Sequence, residues 1–323
     1  MKLYEVRLKL KSPAIITSRR TERGFVRPPP WIPGSTIRGA ILTALLRDGR
    51  IDWKTVESEA SNPTFLVSHA YPVIDGVKSI PATPFMMEDR SSGRILDFTR
   101  KAVEDILNEG DFNLDFYQGL KEAPKPVFGS IVYKSHDGLR RARIPTFRST
   151  SVAIDKARRT SARGMLFDYE AIAEGTEFWA YMAAPASFNE RSLEVAVGRG
   201  QSRGFGWATL ELRPANISLT AGRRVLVAIS PLTPVRVLEG DGCTITVEKA
   251  WGRLEKTLTG YDVLRGKFKP IVEVALPGSL VLSEIKGECK GVEAGVPLRI
   301  MDGVIAGVNA FMPIEEYFEI TGG

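Results

Sequence analysis

Apolar and charged positions alternate from the first residues of the chain. Tyr4, Val6, Leu8 and Leu10 fall on one side and Glu5, Arg7 and Lys9 on the other, the two-residue period of a strand with one buried face. Ser12-Pro13 interrupts the pattern and Ala14 to Thr17 resumes it. A polar, arginine-rich stretch then leads to Pro28-Pro29-Pro30. Behind it Ile37, Ile41 and Leu45 recur at helical spacing, with Ser35 reading as the N-cap and Gly49 as the stop. A second helix is predicted from Thr99 to Asn108, with Ala102, Val103, Ile106 and Leu107 inward and Gly110 after it. The basic stretch from Arg140 to Arg163 has little periodicity and is too polar for core, so it reads as a long exposed hairpin or loop. Glu177 to Met182 reads as a strand, Glu190 to Val197 as a short helix capped by Asn189, and Trp207 to Leu212 as a strand.

That element order predicts an α+β ferredoxin-like (RRM-like) unit with insertions over residues 1–213, its glycine-rich loop lying between the last helix and the last strand. A boundary is expected near Pro214. Beyond it the chain begins again: Val225 to Ile229 reads as a strand broken by Ser230-Pro231, an echo of Ser12-Pro13. Pro277-Gly278-Ser279 repeats Pro33-Gly34-Ser35, with the apolar strand Leu280 to Leu282 behind it instead of a helix. Residues 214–323 are therefore expected to be a second, degenerate ferredoxin-like domain that lost the charged equipment of the first.

At 323 residues and 43% hydrophobic content the chain has enough apolar material for one large or two smaller cores. No apolar run approaches the roughly 20 residues of a membrane span. The alternating N-terminus is unlike a secretory signal, so a cytoplasmic location is expected. Cys243 and Cys289 could make at most one bridge and lack paired metal-ligand spacing; buried free thiols are the expectation. Neither a metal nor a cofactor is expected.

The net charge of +6 is unevenly spread. Lys134 to Arg163 holds nine basic residues against Asp137 and Asp155, and Lys11 to Arg50 holds eight against Glu22 and Asp48, so these two segments carry +13 and the remainder −7. From Pro214 onward 12 basic residues face 13 acidic ones. Most of the concentrated charge is arginine, whose planar fork suits phosphate and stacks on bases. Solvated basic faces would give the same count, so charge alone does not decide for a nucleic acid.

The segment Gly198-Arg199-Gly200-Gln201-Ser202-Arg203-Gly204-Phe205-Gly206 adds specific chemistry. Its glycines permit positive φ and close backbone approach. Successive amides there can form an anion-binding nest. Arg199 and Arg203 bring charge, and Phe205 offers a stacking face. The loop is no dinucleotide fingerprint, which would open a helix, and no Walker loop, since no Gly-Lys-Ser/Thr ends it.

This loop resembles the signature of CRISPR-associated RAMP proteins. So do Ile32-Pro33-Gly34-Ser35-Thr36-Ile37-Arg38-Gly39-Ala40 and Thr150-Ser151-Val152-Ala153-Ile154-Asp155. Gly164-Met165-Leu166-Phe167 and Gly175-Thr176-Glu177-Phe178 continue the family's order. Ser68-His69-Ala70-Tyr71-Pro72, Pro81-Ala82-Thr83-Pro84 and the run from Trp251 to Ser279 are similar to the large two-domain, Cas-five-like subunit of type III-D complexes, the Csx-ten group. The resemblance implies ferredoxin-like domains that bind CRISPR RNA, cap the 5′ repeat-derived handle of the guide, and contact other RAMP subunits and a large polymerase-type subunit. The residues expected to touch RNA are the loop from Gly198 to Gly206, Arg19, Arg20 and Arg23, Ser35 and Arg38, and Arg148, Lys156, Arg158, Arg159 and Arg163 of the basic hairpin.

Related proteins include nucleases, which usually employ a histidine. The chain has His69, before an aromatic-proline turn and read as structural, and His136, in a basic loop. Repeating backbone subunits of type III complexes cut target RNA with an aspartate in the loop before the Ile-Pro-Gly-Ser helix; here that loop, Ser18 to Trp31, holds Glu22 as its only acid. The expectation is a non-catalytic guide-binding subunit. The alternatives are a repeat-processing endoribonuclease, a repeating backbone subunit, and a protein-only assembly factor.

Overall fold

The computed structural model describes residues 1–16, 28–113, 124–155, 158–258, 261–262, 266–300 and 303–322. It is a mixed α/β protein, mostly antiparallel sheet with few helices. Two four-strand units organise it. In the first, β1 (Lys2–Leu10) leads through helix α1 (Gly34–Arg47) and helix α2 (Trp53–Ser61) to β2 (Leu66–Val67). β3 (Glu177–Ala184) lies between β2 and β1, and β4 (Trp207–Pro214) lies on the far side of β1. All pairs are antiparallel, in the order β2-β3-β1-β4. Strands Tyr71–Ile74, Val77–Pro81, Ile131–Ser135 and Gly138–Arg141 extend the sheet beyond β3, and Ser192–Ala196 forms its other edge beside β4.

The second unit repeats the order. β5 (Gly222–Ala228), β6 (Val237–Trp251), β7 (Leu280–Lys290) and β8 (Phe311–Pro313) align as β6-β7-β5-β8, again all antiparallel. No helix joins β5 to β6. Helix α3 (Thr99–Glu109) belongs to the first half, and α4 (Ile314–Thr321) follows β8.

Side-chain alternation sorts the strands between three cores. On β1, Tyr4, Val6, Leu8 and Leu10 face α1, packing with Ile37, Ile41 and Leu45. β3 is buried on both sides: Phe178, Ala180 and Met182 join that core, while Trp179, Tyr181 and Ala183 face the second half. There they meet Val225, Val227, Ile229, Leu280 and Leu282, together with Ala102 and Ile106 of α3 and Tyr317 of α4. The alternate residues of β5, Leu226 and Ala228, enter a third core with Val281, Ile285 and Phe311. The middle core is made by both halves jointly, so neither sheet buries its inner face without the other.

The structure departs from the expectations in five places. Leu107 of α3, expected inward, is 41% exposed: Ala102, Val103 and Ile106 form the buried stripe and Leu107 falls beyond its edge. Residues 190–197 are not a helix. Ser192–Ala196 is an edge strand, with Leu193, Val195 and Val197 buried and Ser192 and Glu194 exposed, a two-residue period read as a helical one. The glycine-rich loop therefore joins two strands rather than a helix and a strand. Ser35 does not cap α1: Pro33 is the N-cap residue, its carbonyl accepting from Thr36 and Ile37. A Cβ on Gly34 would sit 2.0 Å from the Val67 carbonyl oxygen, so that close approach fixes where the helix enters. Finally, Cys243 and Cys289 are not free but bonded to each other, on the paired strands β6 and β7.

Two carboxylates are held inside the structure in different ways. Glu59, in α2, is 3% exposed; it accepts from Arg38 at 2.8 Å, from the amides of Thr64 and Phe65, and from the Thr64 hydroxyl. Glu293 is fully buried with no partner for either carboxylate oxygen at hydrogen-bonding geometry, and burial, opposed by the nearby amides of Glu293 and Gly291 and reinforced by Glu316, raises its pKa to about 8. Removing one partner of a buried ion pair leaves an uncompensated charge and costs about 3–5 kcal/mol. Arg38→Ala is thus expected to lower the unfolding free energy by that amount in urea titrations, and Arg38→Ala combined with Glu59→Leu to recover much of it.

Candidate nucleic-acid interface

The site is built around four residues, Pro13 to Ile16, that follow the break after β1. Ala14 exchanges two backbone hydrogen bonds with Ile172, at the base of the long hairpin Thr146–Asp155 and Thr160–Ile172. The Ile15 carbonyl accepts from the Arg199 amide at 3.0 Å, and the Pro13 carbonyl from the Gly206 amide at 2.9 Å. One short segment therefore holds both ends of the glycine-rich loop and the root of the hairpin. It runs directly into the arginine-rich stretch; Arg19, Arg20 and Arg23 lie outside the described residues, as does Lys156.

Within the loop, Gly198, Gly200, Gly204 and Gly206 all have φ between +78° and +86°. A Cβ on Gly198 would meet the Ile15 carbonyl oxygen at 2.4 Å and one on Gly206 the Val197 carbonyl oxygen at 2.0 Å, so only glycine fits at either end. Between them Gln201–Arg203 forms a single 3-10 turn. The amides of Arg199, Arg203, Gly204, Phe205 and Gly206 are spent on bonds to protein carbonyls. Among the described residues, the successive amides of Gly200, Gln201 and Ser202 have no protein acceptor, and Arg199 and Arg203 flank them, exposed. The Gln201 side chain turns back to the Ala196 carbonyl. Phe205 is half-buried beside Gly200, with the Arg203 guanidinium 5.9 Å from its ring centre.

Among the described strands, the two of the hairpin pair only with each other, so the hairpin leaves the main sheet as an arm. Thr146, Phe147 and Arg148 are exposed in succession, on both faces of the strand, as are Arg158 and Arg159 near the turn. Arg159 has φ of +52°, an unusual left-handed conformation for a residue other than glycine. Arg163 lies in the second strand of the hairpin. At the root, Ile144 packs on the first core and Ile172 is fully buried.

Two further residues expected at the interface, Arg38 and Ser35, and two other arginines of the basic stretch, Arg140 and Arg141, have neighbours within the protein. Arg38 is held by Glu59 and by the carbonyls of Glu59 and Phe65, its side chain 13% exposed. Ser35 is half-buried beside Gly307 of the second half. Arg140 and Arg141 pair with Asp137 and Glu88.

Of the two histidines, His136 is fully exposed on a hairpin tip beside Asp137. His69 is buried at the junction of the halves. Its Nδ1 accepts from the Gly34 amide at 3.3 Å, its backbone amide donates to Ser230 Oγ at 2.9 Å, and its ring stacks on Trp31. With Nδ1 an acceptor, the neutral ring carries its proton on Nε2. Burial depresses its pKa to about 3. No group of three or more His, Cys, Asp or Glu side chains among the described residues is arranged to hold a metal ion. No helix among them is long and apolar enough to cross a membrane.

The RAMP superfamily model matches residues 7–209, more than half of the chain, and covers the glycine-rich loop, the hairpin and the α1 motif. The chain belongs to the RAMP superfamily. No curated protein sequence matches it. Among solved structures it is similar to a chain of the type III-B Cmr-beta complex bound to cognate target RNA, at 15% identity, with 86% of each chain covered and a TM-score of 0.52. A second state of that complex, with target RNA and AMPPnP, aligns over the same shares at 15% identity and a TM-score of 0.51. A chain of the Csm3-Csm4 subcomplex of a type III-A interference complex aligns at 12% identity over 96% of this chain and 99% of that one, with a TM-score of 0.45.

The depressed pKa of His69 has a signed consequence. The folded state keeps the ring neutral while the unfolded chain binds a proton below about pH 6.5, so the stabilisation is complete above that value and is lost as pH falls toward 3. The slope is about 1.4 kcal/mol per pH unit. Urea unfolding at pH 7 and pH 5 should show a fall in stability that is reduced by roughly that slope in His69→Gln; equal losses in both proteins would remove this role for His69.

Proposed function

We propose that this chain is a guide-RNA-binding subunit of a type III CRISPR effector ribonucleoprotein and that it does not cut RNA. It is Cas-five-like, of the Csx-ten group, and caps the 5′ repeat-derived handle of the guide while contacting other RAMP subunits and the large polymerase-type subunit. Its two halves are two ferredoxin-like units, 1–213 and 214–323, of which the second is degenerate. The repeated strand order, β2-β3-β1-β4 and β6-β7-β5-β8, supports the duplication. Membership of the RAMP superfamily and the fold shared with a subunit of an RNA-bound type III-B complex support the setting.

The observation that carries the proposal is the convergence on Pro13 to Ile16. Three loop amides with no acceptor among the described residues, the exposed arginines of the loop and the arginine-bearing hairpin meet at one hydrogen-bonded junction. Amides and arginines together suit phosphate oxygens without reading bases, as a subunit gripping guide backbone requires. Cleavage by general acid/base chemistry needs a base near the 2′-hydroxyl and an acid near the leaving oxygen. The burial of His69 and its bond from Gly34 favour a structural role for it, which weighs against the repeat-processing alternative.

Removing Arg158, Arg159 and Arg163 together should weaken RNA binding about equally across RNA sequences. Each lost phosphate contact lowers the slope of log affinity against log salt by roughly 0.7 for a single strand. Fluorescence anisotropy from 50 to 300 mM salt reads this directly, with labelled repeat RNA in the same tubes resolved on gels for cutting. An unchanged slope would remove the arm from the interface, and site-specific cutting abolished by His69→Ala or His136→Ala would establish the endoribonuclease instead.

A further inference from the structure

β4 opens with Trp207, one residue beyond the glycine-rich loop. Ala208, Leu210 and Leu212 of that strand point into the first core, so Trp207, Thr209 and Glu211 lie on the opposite face. The middle core covers much of that face through Trp179 and Tyr181, but this end of the sheet is open. Trp207 is 41% exposed there. Its backbone is fixed: the carbonyl accepts from Lys11 at 2.7 Å and from Ser12 at 3.2 Å, and the amide donates to Ser12 Oγ at 3.0 Å. A large aromatic is thus presented at an exposed sheet edge by a backbone held through three hydrogen bonds.

The neighbours define what it can receive. Lys9 is paired with Glu177 and Lys11 with Glu194, which also accepts from Thr209. Around the indole, charge is therefore cancelled, whereas phosphate-directed charge lies in the adjacent loop on Arg199 and Arg203. Phe205, the aromatic within the loop, already has Arg203 over its ring. An open sheet face carrying an exposed aromatic is how RRM-type sheets stack single-stranded bases, and such stacking tolerates any base because every base has a π face.

We propose that Trp207 is the base-stacking platform of the RNA site: the loop holds the backbone and the indole receives the base of a nucleotide held there. The proposal rests on the RNA-binding function proposed above and assigns to Trp207 a contribution that is independent of salt.

The test uses the full chain and fluorescein-labelled oligouridine and oligoadenosine 12-mers, with Trp207→Ala, Trp207→Phe and Arg199→Ala compared by anisotropy at several salt concentrations. Loss of one base–aromatic stack weakens binding about tenfold, within a range of roughly 5- to 100-fold. Trp207→Ala should show that loss with the salt slope of the parent protein, Trp207→Phe should keep most of the affinity, and Arg199→Ala should lower the slope. The position is exposed, so Trp207→Ala should melt with the parent chain; if it does not, Trp207→Phe matching the parent chain in stability but losing affinity as fully as Trp207→Ala overturns the stack. Equal binding by the parent and Trp207→Ala overturns the platform while leaving RNA binding intact. A parent chain that binds neither oligonucleotide overturns the RNA-binding function and the platform with it.

Discussion

Everything at the candidate interface depends on the backbone pairing of Pro13 to Ile16. Ala14, Ile15 and Ile16 are almost completely buried; Ala14 exchanges both its backbone groups with Ile172, the Ile15 carbonyl accepts from Arg199, and the Pro13 carbonyl accepts from Gly206. A buried carbonyl left unpaired costs roughly as much as a lost hydrogen bond, so the glycine loop and the root of the arm are each held in register by the same segment. The glycines follow from this constraint. Gly198 and Gly206 lie where the loop presses on the Ile15 and Val197 carbonyls, leaving no room for a Cβ. Gly204 meets nothing within 4 Å and is explained by its positive φ alone.

The two halves share one strand order and one core, yet they carry different chemistry. Across the middle core, Trp179 and Tyr181 of β3 face Val225, Val227 and Leu282, and His69 bonds both Gly34 of the first half and Ser230 of the second. The second half thus braces the back of the first sheet. Its charge is balanced, 12 basic residues against 13 acidic, while the basic arm and the glycine loop belong to the first half. The repeated Pro-Gly-Ser keeps its physical function in both: Gly278 approaches the Ala82 carbonyl as closely as Gly34 approaches that of Val67.

Much of this was legible in the sequence wherever one period dominated. The alternation of β1 was readable, as was the stripe Ala102, Val103 and Ile106 of α3 with Gly110 in its left-handed cap, although Leu107 faces out. Of the polar run from Arg140 to Arg163, Arg140 and Arg141 lie in a strand of the large sheet and the hairpin begins at Thr146. Residues 190–197 misled because Leu193, Val195 and Val197 also fit a short helical stripe, and only pairing with β4 decides between the periods. α2 carries a signal in the sequence, Asp52, which caps it by accepting from the Thr55 amide, but its apolar content is too low for a helical stripe. The fate of Arg38 was not readable, since its partner Glu59 lies 21 positions away. Nor was the disulfide, which needs β6 beside β7. In the sequence Trp207 is only a strand residue; that it lies on the exposed face while Phe205 is half-buried emerges from the folded sheet.

The central claim is that RNA lies along the junction of the glycine loop, the arm and the segment Pro13 to Ile16. Ultraviolet cross-linking of the full chain to guide-length RNA, with the modified peptides mapped by mass spectrometry, tests it most directly. Cross-links confined to peptides covering residues 11–27, 146–172 and 198–209 are the result expected. Cross-links concentrated in residues 214–323, or on the His136 hairpin with none at the glycine loop, would contradict it.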